Sequence, residues 1–249
     1  MTDTLAAPVS TAAPQNSGGK IPVTVLTGYL GAGKTTMMDV ITGKTRPDKG
    51  SVWFGQDLNL LALTEPEIAQ AGIGRKFQKP TVFEFLNVFE NLELALADDK
   101  SFWHTLVARL TPVQRERIDE VLHMIGLEAE RTAMAGVLSH GQKQWLEIGM
   151  LLMQEPELLL VDEPVAGIDA AGEEQFHSMI RRLNRDLGIT IVMVSHDIGA
   201  VMREATTIAC INTDIVFHGP VHQLDAQALS GLYGFPVDVL MHDPEHTHR

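Results

Sequence analysis

Short apolar, β-branched runs recur along the chain at "PVTVLT", "SVWFG", "LLLVDE", "TIVMVS" and "TIACIN", and stretches with helical spacing separate them. Continuous apolar runs of this kind are what strands covered on both faces look like. Their alternation with helices predicts an α/β fold with a mostly parallel sheet. Several helix ends are legible. Thr64 with Glu67 makes a capping box that Gly72 closes, and Thr111 with Pro112 at the first helical position opens a helix that Gly126 ends. From Phe77 to Gln154 the strand signal disappears and helical spacing takes over, as at Trp145, Ile148 and Leu152. That span, about residues 79–154, predicts a helical subdomain inserted before a later strand. The opening "MTDTLAAPVSTAAPQNSGGK" is small and polar without periodicity, so residues 1–20 read as a disordered lead-in to one domain over 21–249.

A chain of 249 residues with 45% hydrophobic residues can bury one good core, as a large domain or a domain with a subdomain. A net charge of −13 and a pI near 5.1 argue against a surface that coats nucleic acid, which needs clustered Lys and Arg. The lone Cys210 makes an internal disulfide impossible and fits a reducing, cytoplasmic compartment. The apolar runs are too short to span a bilayer and the N-terminus does not read as a signal peptide, so membrane association is expected only through a partner.

Within this pattern, "TVLTGYLGAGKTTMMD" places a glycine-rich turn between a strand and a helix. It fits G-x-x-x-x-G-K-[ST] from Gly28 through Tyr29, Leu30, Gly31, Ala32 and Gly33 to Lys34 and Thr35, with Thr36 following. Glycines let the backbone N–H groups turn inward around a phosphate, and the next helix presents its positive end to the same anion. Lys34 would reach the β- and γ-phosphates, and the Thr35 hydroxyl would hold Mg²⁺.

The stretch "LSHGQKQWLEIGMLLMQEPELLLVDEP" adds a second set of elements. Here the chain resembles the ATP-binding-cassette (ABC) ATPases. "LSHGQ" is similar to that family's LSGGQ signature, with His140 in place of a glycine, and "ELLLVDE" is similar to its Walker B strand. Gln78 in "GRKFQKP" resembles the Q-loop glutamine, "AGID" with Asp169 the D-loop, and His196 in "MVSHD" the switch histidine. The resemblance implies a P-loop NTPase (RecA-like) core with an inserted helical subdomain, and an ATPase that uses ATP and Mg²⁺. It implies that Asp162 and Gln78 join Thr35 at the metal, that Glu163 activates water, and that His196 holds that water against the γ-phosphate. Adjacent acids suit these roles, since a metal neutralises Asp162 and leaves Glu163 the freer base. The resemblance further implies a nucleotide-sandwich dimer, a homodimer or paired ATPase subunits, in which Ser139, Gly141 and Gln142 act on the partner's ATP. That dimer would work beneath transmembrane permease subunits of an importer, peripheral on the inner face of the cell membrane.

Finer resemblances diverge along the chain. From "TTMMDVITGKTRPDKG" to "DEPVAG" it looks like the ATPase subunits of urea and branched-chain amino-acid importers. From "GITIVMVSHDIGAV" to "LYGFPVDVLMHD" it looks like those of zinc and manganese importers, and "PVTVLTGYLGAGKTT" is similar to CobW-type metallochaperone GTPases. A recombined chain would show such a mosaic. Two rival readings stay open: a metallochaperone GTPase of the CobW type, and a weakly active ATP-binding module. The resembled ATPases carry an antiparallel β subdomain ahead of the cradle, with an aromatic residue that stacks on adenine. Only 27 residues precede Gly28 here and none is Phe, Tyr or Trp, so this subdomain reads as truncated and the chain is expected to discriminate weakly between ATP and GTP.

Two smaller features carry paired readings. Phe83, Phe85 and Phe89 in "KPTVFEFLNVFENLEL" either pack the helical subdomain or receive a membrane partner. His242, His246 and His248 in "LMHDPEHTHR" either bind Zn²⁺ or form a solvated tail, and Pro244 between the first two favours the tail.

Overall fold

The computed structural model describes residues 23–27, 33–76, 81–96, 110–162, 168, 170–195 and 205–224. Along them run β1 (Val23–Thr27), α1 (Lys34–Ile41), β2 (Trp53–Phe54), β3 (Leu58–Asn59), α2 (Glu65–Gln70), β4 (Ile73–Lys76), α3 (Val88–Leu94) and α4 (Pro112–Ile125). There follow α5 (His140–Leu152), β5 (Leu158–Asp162), α6 (Ala170–Leu187), β6 (Thr190–Val194), β7 (Thr207–Asn212) and β8 (Asp214–Pro220).

Six of these strands form one sheet in the order β4-β5-β6-β1-β7-β8, parallel throughout except for the closing β7–β8 hairpin. All five predicted runs contain strands, but "SVWFG" does not join this sheet. Gly55 takes φ +65° and turns the chain straight back, so β2 pairs only with β3 in a separate two-stranded antiparallel sheet. Two strands of the large sheet lie outside the five predicted runs. β4, "IGRK", closes on two cations that are both buried. β8 is a largely exposed edge strand, reached through a tight turn at Thr213.

The sheet separates two apolar layers, and successive residues of each buried strand serve opposite faces, as the period of two requires. Leu159, Val161, Ile191 and Met193 face the larger layer, built with α3, α4, α5 and α6 through Leu92, Ile118, Leu146 and Phe176. Leu158, Leu160 and Val194 face the smaller one, built with α1 and α2 through Met38 and Ile68. Helix α5 approaches its neighbours closely at Gly149, where an added Cβ would lie 2.7 Å from Ile125 Cδ1 and 3.0 Å from Leu92 Cδ2. The predicted capping box at Thr64 forms, and the helix start predicted at Thr111 carries one as well, with Glu67 and Gln114 accepting from the backbone N–H groups of Thr64 and Thr111 at 2.8 Å each. Gly126 caps α4 in the left-handed region, φ +67°.

Cys210 sits on β7 with no exposed surface, and burial pushes its thiol pKa up to about 11. At pH 8 the thiolate is then about one part in a thousand, and the thiolate is the reactive form. Native protein is expected to resist iodoacetamide at pH 8, whereas protein unfolded in urea takes up one label. Rapid labelling before unfolding would contradict this burial.

Candidate functional site

Strands β4, β5, β6 and β1 are neighbours and parallel, so their C-terminal ends open at one edge of the sheet, where ligands of open α/β sheets collect. The register is level: Leu26 pairs with Val194, Val194 with Asp162, and Val161 with Lys76. With strands about 4.8 Å apart, these four ends fall within about 15 Å of one another. Gly28 follows β1 in the chain, Glu163 follows β5, His196 comes two residues after β6 and Gln78 two after β4. Gly28, Tyr29, Leu30, Gly31, Ala32, Gln78, Glu163, Asp169 and His196 themselves lie outside the described residues, as do His242, His246 and His248.

At the start of α1, Gly33 is the N-cap with φ +95°, a conformation open to glycine at no steric cost. No acidic residue occupies the first turn, so the positive end of the helix is left unneutralised for an anion. Lys34 is buried, while Thr35 and Thr36 are exposed. Asp162 ends β5 at 3% exposure. A threonine hydroxyl and a carboxylate are hard oxygen donors of the kind Mg²⁺ takes.

Buried charge surrounds Asp162. Arg75 Nη2 lies 3.8 Å from its Oδ2, while Nη1 of the same guanidinium donates to Asp39 Oδ1 at 2.5 Å and to Thr42 Oγ1 at 3.2 Å, both near the end of α1. On the opposite face of β4, Lys76 has no exposed surface and its Nζ lies 3.8 Å from Glu147 Oε2 on α5. Burial pulls the Lys76 pKa down, and the carboxylates of Glu147 and then Asp162 push it back up. The hydrophobic pattern does not single out Arg75, Lys76 or Glu147. The available signal was a pair of cations closing a β-run and an acid, Glu147, one residue before Ile148 on the inward stripe of a helix.

Ser139 is the N-cap of α5. Its Oγ accepts from Gln142 N at 3.2 Å, and its own N–H donates to Gln142 Oε1 at 3.0 Å. Gln142 Nε2 also donates to Glu130 Oε1 at 3.1 Å, and Gly141 beside it is half-buried. The His140 ring is exposed and turns along its own helix to Gln144, 3.0 Å away, so it does not crowd the cap. The three phenylalanines divide. Phe89 is partly buried with Arg131 4.4 Å above its ring, whereas Phe83 and Phe85 are 50% and 92% exposed. Bonds from Ala135 N to Leu86 O and from Gly136 N to Glu84 O clip their turn to the neighbouring loop, where Val137 is also exposed.

Comparison with known proteins gives consistent results. The family model described as "ABC transporter" matches residues 19–166, well over half of the chain. The phosphonates import ATP-binding protein PhnC 2 of a Synechococcus species is 32% identical over 214 residues, which cover 85% of this chain and 80% of that protein. Among solved structures, cbiO1 from Clostridium perfringens, described as part of the ABC transporter complex cbiONQ, superposes with TM-score 0.69 at 25% identity, covering 81% of this chain and 78% of that one. The dimeric ATP-binding cassette MJ0796 bound to ADP and Pi gives TM-score 0.68 at 25% identity, over 82% and 87% of the two chains.

Proposed function

The chain belongs to the ABC transporter ATPase family, and from that premise we propose that it is the ATP-hydrolysing subunit of an importer, working as a nucleotide-sandwich dimer beneath permease subunits. The observation that supports this reading is the level row of strand ends, which brings to one edge of the sheet Asp162 and the ends of the strands that Gly28, Glu163, His196 and Gln78 follow in the sequence.

When bound, Mg²⁺–ATP supplies the reactive phosphorus and the metal charge that eases its attack. Lys34, the backbone from Gly28 to Gly33 and the α1 N-terminus bind the phosphates, and Thr36 continues that helical turn. Thr35, Asp162 and Gln78 hold the metal. Glu163 takes a proton from the attacking water on its carboxylate oxygen, and His196 orients that water. From the second copy, Ser139, Gly141, Gln142 and Asp169 close over the nucleotide. The N-terminus of α5 faces the anion in that arrangement, as an N-terminus favours. Support for the dimer comes from the likeness to the dimeric cassette, and support for the permease partner from the likeness to a subunit of a transporter complex.

No helix among the described residues is long and apolar enough to cross a membrane, and attachment to the inner face through the permease subunits is part of the proposal. The solute is proposed as urea or a branched-chain amino acid from the middle of the chain, or zinc or manganese from its C-terminal part. Contact with the permease is assigned to the exposed Phe83–Phe85 turn and Val137. Phe85→Asp is expected to abolish co-purification with the permease while leaving ATP hydrolysis by the isolated chain unchanged. Undiminished co-purification would remove this turn from the interface, and absence of a permease from the wild-type preparation would count against the importer reading.

A further inference from the structure

Glu147 lies on the inward face of α5 at 4% exposure, between Leu146 and Ile148, which have none. A buried carboxylate is costly unless it is compensated, and the two oxygens of Glu147 face groups at opposite ends of one short segment, one an ion-pair partner and one a hydrogen-bond donor. Oε2 lies 3.8 Å from Nζ of Lys76, the last residue of β4. Oε1 accepts from Thr81 Oγ1 at 2.9 Å. Residues 77–80, Gln78 among them, connect these two anchors in the chain. The helix that carries Glu147 is the one capped by Ser139, so a single side chain links the Ser139 helix to both flanks of the segment bearing Gln78.

An apolar side chain would stabilise this interior at least as well, since replacing a buried ion pair by well-packed apolar groups is often neutral or favourable. What an ion pair adds is a defined relative position, and here Lys76 on the sheet meets a carboxylate on the helix, with the Thr81 hydroxyl on the other oxygen of that carboxylate.

We infer that Glu147 is a positioning residue, with Thr81 and Lys76 as its partners, that sets Gln78 relative to the Ser139 helix by fixing both ends of the 77–80 segment. The inference rests on the role proposed for Gln78 in ATP hydrolysis.

Thr81 is exposed, so it can be changed without disturbing the core. Thr81→Val keeps the shape and removes the hydroxyl, whereas Thr81→Ser keeps the hydroxyl. Two readouts apply to the full-length protein: amide hydrogen exchange over residues 76–82, and kcat and KM for ATP. Thr81→Val is expected to speed exchange about fivefold, the scale of one lost hydrogen bond. It should also lower kcat about threefold to tenfold with KM unchanged, a split that marks positioning in the transition state, and lower the melting temperature by only a few degrees, the scale of one hydrogen bond lost from a buried carboxylate. Thr81→Ser should match wild type in both readouts. The double variant Lys76→Met with Glu147→Leu, which removes both charges of the pair and leaves Arg75 beside Asp162, is expected to fold and to show the same loss of kcat. Unchanged exchange or unchanged kcat in Thr81→Val, equal impairment in Thr81→Ser, or wild-type turnover in the double variant would overturn the inference. The exchange arm needs no turnover, so it decides even if the wild-type chain fails to hydrolyse ATP, a result that would instead overturn the proposed function.

Discussion

Replacing Glu163 with glutamine is expected to cut kcat for ATP by about 10²–10⁴, the range a positioned general base contributes. The amide keeps the size of the carboxylate and can still accept a hydrogen bond from water, but it has no basic site for the proton. Lys34, the α1 N-terminus and Asp162 are untouched by the change, so ATP should bind with wild-type affinity. With the nucleotide held and not consumed, the sandwich has no route to open, and the variant should elute as a dimer in ATP and Mg²⁺ and as a monomer without them. Turnover assays and size-exclusion chromatography read both effects. Wild-type turnover would remove Glu163 from the base role, and a variant that stays monomeric in ATP would count against closure through Ser139 and Gln142.

Arg75→Met should give the largest loss of stability, about 3 kcal/mol, near the lower end of what breaking a buried pair costs. The guanidinium side chain is 5% exposed and serves two carboxylates at once, Asp39 at 2.5 Å and Asp162 at 3.8 Å. Without it, Asp162 keeps its charge in the interior with less compensation, while Asp39, at 17% side-chain exposure, retains some water and Lys44 at 3.6 Å. Lys44→Met is the control. Its ammonium is 55% exposed, and an exposed pair of that kind contributes about 0–1 kcal/mol. Urea unfolding of the two variants should therefore separate clearly. Equal midpoints would show that Asp39 relaxes outward and that Arg75 is not a link between α1 and β5.

Much of the site is readable from residue order because its chemistry is local. A phosphate cradle is a few consecutive residues between a strand and a helix, and Gly33 takes the left-handed turn that its place there calls for. Asp162 is readable for the same reason, as the polar end of an apolar run. The capping boxes at Thr64, Thr111 and Ser139 each involve residues only three apart, so sequence spacing alone exposes them. The Phe83, Phe85 and Phe89 cluster is different. Identical residue types at close spacing give no sign of which rings point outward, and the division follows from Asn91, fully buried, which accepts from Phe83 N and donates to Phe83 O and Leu86 O and so fixes the turn.

What the amino-acid sequence by itself determined is therefore the α/β class, the glycine cap of α1, the acidic strand end and the cap of the Ser139 helix, since each is set by neighbours within one turn or one strand. Only the tertiary structure decided that "SVWFG" leaves the main sheet, that "IGRK" enters it as its edge beside β5, and that Arg75 and Lys76 point to opposite faces of that strand toward Asp39 on one side and Glu147 on the other. The partners in these contacts are separated by 36 residues for Arg75 and Asp39 and by 71 for Lys76 and Glu147. At such separations no periodicity links one residue to the other. The sheet alternates its faces every residue, so which cation meets which carboxylate depends on the register of β4 against β5, and that register exists only once the strands are paired.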